Sequence, residues 1–138
     1  MDKNLRIIIA EDDPVHQTIL RLILRRLGIK AKAAANGGEV ILALEKQYYE
    51  MVLMDIQMPE MDGIEATRII RERWSHGPKI IVVTDCEPDS YRDICVNAGA
   101  NDFLTKAVFL EDLSAAIERN EAKGDCYARR HCIQEGLA

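Results

Sequence analysis

The chain has 138 residues, of which 48% are hydrophobic and 30% charged, and its formal net charge is −5. This is the profile of one globular domain and excludes a disordered chain. The acidic balance gives no general attraction to nucleic-acid phosphates, and no apolar run approaches the ~20 residues that span a bilayer.

The first apolar run, LRIIIA at 5–10, reads as a strand that ends on Glu11, Asp12 and Asp13. The following segment carries Val15, Ile19, Leu22, Ile23 and Leu27 at helical spacing, one apolar stripe. Asp13 suits its N-cap, Pro14 its first position and Gly28 its stop. Residues 29–34 form a weaker strand and 37–47 a helix. Met51–Met54 is a strand apolar at every position, and it ends on Asp55. A helix over 63–74 follows, then a strand of mostly β-branched residues, Lys79–Thr84. Residues 88–98 read as a helix, 101–105 as a short strand, and 109–121 as a last helix with Leu110, Leu113 and Ile117 inward.

Five strand–helix units with continuous rather than alternating strands imply a parallel sheet covered on both faces. The right-handed crossover rule makes it doubly wound. The expected fold is therefore α/β, one domain over 1–121, with 122–138 a short tail or helix extension. In that tail, Cys126, His131 and Cys132 lack the fourth ligand and tight pairing of a zinc site. The N-terminus does not read as a signal peptide, so the chain is expected in the cytoplasm with Cys86, Cys95, Cys126 and Cys132 reduced.

Ligands of open parallel sheets bind beyond the carboxyl ends of the strands. Those exits carry Glu11, Asp12 and Asp13, then Asp55, then Thr84 and Asp85, then Thr105 and Lys106. Converging carboxylates repel one another, and a hard divalent cation relieves the repulsion. Glu11, Asp12 and Asp55 suit Mg²⁺ completed by a phosphoryl group, with Lys106 as counter-charge and the Thr84 hydroxyl as donor. Asp55 then stands where a carboxylate nucleophile forms an acyl phosphate. Taken singly, each residue has an ordinary role. Asp13 is a cap, Lys106 a surface lysine and Thr84 a strand-end hydroxyl.

With AEDDPVHQ, MDIQMPEMDG, VVT and GANDFLTKA in place, residues 4–120 resemble the receiver domains of two-component response regulators, particularly those attached to hybrid sensor kinases. The resemblance implies a flavodoxin-like strand order 2-1-3-4-5. It implies that Asp55 accepts a phosphoryl group from a phosphohistidine on a sensor histidine kinase or histidine phosphotransfer protein. Glu11, Asp12, Asp55 and the main-chain carbonyl of Gln57 would hold Mg²⁺ or Mn²⁺. Thr84, Phe103 and Lys106 would contact or report the phosphoryl group, and the surface over 88–121 would carry the signal, in a monomer or a phosphorylation-dependent dimer. No direct contact with nucleic acid or membrane is implied.

Two positions depart from the family pattern. Asp85 replaces a small residue after the threonine, and Ala107 replaces the proline after the lysine. A cis bond before a non-proline costs about 2.5–4 kcal/mol, so a trans peptide with a shifted loop or a held strain is expected there. Both departures leave open a degenerate receiver that binds partners without phosphorylation. An aspartyl-phosphate phosphohydrolase would need an acid two residues after Asp55, and Gln57 is an amide. A flavodoxin-like cofactor site is opposed by Glu11–Asp13 and by the lack of a phosphate-binding loop. The sequence leaves open a separate regulator and a piece of a hybrid kinase.

Overall fold

A computed structural model describes residues 5–84, 88–105 and 110–121, without the side chains of 88–91 and 110. The expectations for Asp85, Cys86, Lys106, Ala107, the Leu110 side chain and the tail at 122–138 lie outside those residues. The elements run β1 (Ile7–Ala10), α1 (Pro14–Arg26), β2 (Ala31–Ala34), α2 (Gly37–Lys46), β3 (Met51–Met54), α3 (Gly63–Arg73), β4 (Lys79–Thr84), α4 (Pro88–Ala98), β5 (Asp102–Thr105) and α5 (Leu110–Glu121). The sheet is parallel throughout, in the order β2-β1-β3-β4-β5. Among the described residues no helix is long and apolar enough to cross a membrane.

Strands buried on both faces explain the unbroken apolar runs. Every residue of β1 and β3 is buried. Alternate side chains feed two cores, because strand side chains point to opposite faces in turn. Ile8, Ala10, Val52 and Met54 join α2 and α3 residues such as Val40 and Ile70. Ile7, Ile9, Met51 and Leu53 join Leu20 and Leu24 of α1 and Leu113 and Ile117 of α5. Each such large side chain contributes about 1.5–3 kcal/mol when taken from water.

The single stripe expected for α1 is two stripes. Leu20 and Leu24 are buried and Ile23 and Leu27 are partly buried. Val15, Ile19 and Leu22 are 64%, 45% and 53% exposed. At 3.6 residues per turn the two sets lie roughly 120° apart around the helix axis. Helical spacing recognises both sets and does not tell which one faces the sheet.

The ends of α1 are as expected, and the structure adds caps on α2 and α3. Asp13 accepts from the Val15 N–H at 2.9 Å, and Gly28 takes φ +84° just past the end of α1. Asn36 caps α2 through the Glu39 N–H, and Asp62 caps α3 through the Glu65 N–H.

Two polar clusters tie the helices to the far side of the sheet. The Arg71 guanidinium donates to the carbonyls of Gly99 and Pro78 and to Asn101 Oδ1, joining α3 to the turn before β5. Asp102 of β5 accepts from Arg119 at 2.7 Å, from Asn120 at 3.1 Å and from the Phe103 N–H at 2.9 Å, pinning α5. Burial pushes the Asp102 carboxyl up, yet these hydrogen bonds outweigh it and hold the group below its ordinary value.

The connection after β3 is set by a close approach. A Cβ on Gly63 would fall 2.0 Å from the Asp55 carbonyl oxygen and 2.9 Å from Met54 Cγ. The Gly63 N–H donates to the Ile56 carbonyl at 2.8 Å. Only glycine lets α3 begin against the backbone that carries Asp55. Gly63→Ala is therefore expected to destabilise the chain by about 1–3 kcal/mol, the usual cost of overpacking. A urea-unfolding midpoint equal to that of the parent would contradict this packing.

Candidate functional site

The sheet register brings the strand exits together. Ala10 of β1 pairs with Met54 of β3, so Glu11 and Asp55 leave adjacent strands at the same level. The ladder continues one residue further on each. The Asp55 N–H donates to the Ala10 carbonyl at 3.0 Å, and the Glu11 N–H donates to the Ala34 carbonyl at 3.0 Å. The backbones of both acids are thus fixed by the sheet rather than by loops.

Their side chains, with Asp12, each offer an oxygen within 4.8 Å of the others. Glu11 and Asp55 are buried and Asp12 is exposed. Two carboxylates at ~4 Å repel by about 4 kcal/mol at an effective dielectric constant of 20. Glu11 offsets part of this by accepting from the Asp13 N–H at 3.1 Å. The set is all hard oxygen, partly open to solvent, and so fits a small divalent cation. Asp13 is held in its capping role, as read from the sequence.

Beside this cluster runs a shallow cleft lined by Asp12, Gln57, Met58, Pro59 and Asp62. Gln57 is exposed at its edge, two residues beyond Asp55. Glu60, in the same loop, takes φ +67°, an uncommon conformation for a residue with a Cβ. Its carboxylate accepts from the Asn36 side-chain amide at 3.3 Å, which ties the loop to the start of α2.

Thr84 ends β4, next to β3, and is fully buried. It lies two residues past Val82, the partner of Met54, and so stands one step beyond Asp55 along the neighbouring strand. Phe103 of β5 pairs with Val82 of β4 and is only 9% exposed, within the core that also holds Cys95 of α4. The described residues thus bring together Glu11, Asp12 and Asp55, with Thr84 on the adjacent strand and Phe103 beneath it. Lys106 follows the end of β5 by one residue but lies outside them.

Sequence reasoning missed two features of this region. One is the demand for glycine at 63, whose only signal was a Gly directly after a capping Asp. The other is the exposed stripe Val15, Ile19 and Leu22, which starts three residues after Asp12.

The family model for the response regulator receiver domain matches residues 7–118. A hybrid signal transduction histidine kinase from Dictyostelium discoideum is 36% identical over 121 residues, which cover 82% of this chain and 10% of that protein. The chain spans 4–11% of the length of the first hybrid-kinase relatives it matches. Among solved structures, the receiver domain of a sensor histidine kinase from Pseudomonas aeruginosa aligns at 34% identity and a TM-score of 0.75. The alignment covers 83% of this chain and 95% of that one, whose active-site cleft coordinates a magnesium ion. The receiver domain of the Saccharomyces cerevisiae response regulator Ssk1, crystallised with the histidine phosphotransfer protein Ypd1, aligns at 30% identity and a TM-score of 0.76. Here 82% of this chain and 86% of that one are covered. With the family model over 7–118, a hybrid-kinase relative 36% identical and a 2-1-3-4-5 parallel sheet, the chain belongs to the response regulator receiver domain family of two-component signalling.

Proposed function

We propose that this chain is a phosphorelay switch in which Asp55 accepts a phosphoryl group from a phosphohistidine. The observation that carries the reading is the meeting of Glu11, Asp12 and Asp55 within 4.8 Å at aligned strand ends. An Asp55 carboxylate oxygen attacks phosphorus. The bond formed is O–P and the bond broken is P–N, and the departing imidazole keeps the electron pair and takes up a proton. Glu11, Asp12, Asp55 and the Gln57 main-chain carbonyl would hold Mg²⁺ or Mn²⁺, which supplies charge neutralisation for the phosphoryl oxygens. The Thr84 hydroxyl donates to a phosphoryl oxygen, and the Lys106 ammonium pairs with another. Gln57 stands where water approaches the acyl phosphate. Phe103, packed between β4 and α4, couples a movement of Thr84 to the surface over 88–121. The chain performs one self-phosphorylation and a slow loss of phosphate, not turnover of a substrate.

The donor is a sensor histidine kinase or a histidine phosphotransfer protein. The stripe Val15, Ile19 and Leu22 supports this, because it gives a partner helix an apolar landing beside the acid cluster.

With Mg²⁺ and phosphoramidate, intact-mass spectrometry is expected to show one added phosphoryl group, lost in Asp55→Ala and on chelation. An unmodified parent chain would instead favour the phosphorylation-independent binding module. Ile19→Glu is expected to slow transfer from a phosphohistidine protein at least tenfold, while the phosphoramidate rate stays unchanged. An equal effect on both donors, or on neither, would remove α1 from the docking face.

A further inference from the structure

Between Pro14 and Gly38 the chain has no carboxylate and five cations, Arg21, Arg25, Arg26, Lys30 and Lys32. The net charge of −5 is thus the balance of +5 here and −10 elsewhere. All five are exposed. None is in an ion pair with a described residue, whereas Arg73 pairs with Glu45 and Arg119 with Asp102.

General roles explain some of this charge. Arg25 and Arg26 lie in the last turn of α1, where cations complement the helix dipole. A lysine on an edge strand discourages unwanted pairing. Neither role places Arg21 in mid-helix or Lys30 ahead of the strand. What these positions share is a groove of about 550 Å³ between α1 and β2, lined by Arg21, Arg25, Lys30 and Lys32 together with Leu22 and Ile29.

Among the described residues β2 pairs only with β1, which leaves its other edge open. The Ala34 carbonyl accepts from the Glu11 N–H, so by the alternation of a parallel ladder the amide and carbonyl of Ala33 face away from β1. Ala31 and Ala33 bring little side-chain bulk to that edge.

We propose that α1 and the free edge of β2 dock an extended acidic segment of a protein partner. Its backbone pairs with Ala33 and its carboxylates meet Arg21, Arg25, Lys30 and Lys32, which leaves Val15 and Ile19 to the phosphodonor. Charge complementarity selects the occupant. A short acidic segment meets only the cationic groove, whereas a long polyanion such as DNA also meets the −10 carried by the rest of the chain. A bilayer surface is flat and leaves the groove unfilled. The groove flanks the start of β2, which is level with Ile7 at the opposite end of the sheet from Asp55. The segment therefore stays bound while the acid cluster reacts, and this site does not depend on the phosphoryl reading.

The test titrates the ¹⁵N-labelled full chain with a short peptide of alternating glutamate and valine. Amide shifts are expected at Thr18–Arg25 and Lys30–Ala33 and are expected to fade with added salt. Binding is expected to weaken at least tenfold in Arg21→Glu/Lys30→Glu, with an unchanged urea-unfolding midpoint. The single variants Arg21→Gln and Lys30→Gln should each weaken it in part, which keeps the test decisive where the double variant does not fold. Shifts confined to other residues, equal shifts from the glutamine–valine peptide, or unweakened binding by the variants would overturn the proposal. So would stronger shifts of the same amides by phosphatidylserine vesicles or a DNA duplex.

Discussion

Mutual repulsion among three carboxylates is the constraint around which this molecule is organised. Left to loops, Glu11, Asp12 and Asp55 would drift apart. They stay together because β1 and β3 are locked in register and because the ladder runs one residue past the last paired positions, through the Asp55 N–H and the Glu11 N–H. The strain is electrostatic and the restraint is hydrogen bonding backed by a buried sheet. The carboxylates are thereby gathered at one edge, where a small divalent cation fits.

The rest of the fold follows from protecting that arrangement. Two apolar layers clamp the strands from both faces, so β1 and β3 can be apolar at every position. α3 begins hard against the Asp55 carbonyl, which leaves room only for hydrogen at Gly63. Glu60 bends back to Asn36, joining the loop after Asp55 to α2. On the far side, Asp102 with Arg119 and Asn120 fastens α5 to β5, the strand that carries Phe103.

Much of this was legible in the sequence because its signals are local. Unbroken apolar runs marked buried parallel strands, and Asp13, Pro14 and Gly28 bounded the first helix. The acids could be placed together because an α/β sheet sends every strand exit to one edge. What failed to show was relational. Val15 and Leu20 are both apolar at helical spacing, and only the position of the sheet decides that Leu20 goes inside and Val15 outside. The demand for glycine at 63 likewise arises from a carbonyl eight residues earlier, and spacing alone carries no trace of it. The cations of α1 and β2 are scattered along the sequence, and only the fold puts them around one groove.

The central claim is that one cation-binding centre forms where β1 and β3 end. Titrating Mn²⁺ into the ¹⁵N-labelled chain tests it directly, because the paramagnetic ion broadens amides by distance. The account predicts that broadening starts at Glu11–Asp13 and Asp55–Gln57 and that Mg²⁺ reverses it. Broadening that starts elsewhere, or a pattern that Asp55→Asn leaves unaltered in position and affinity, would contradict it.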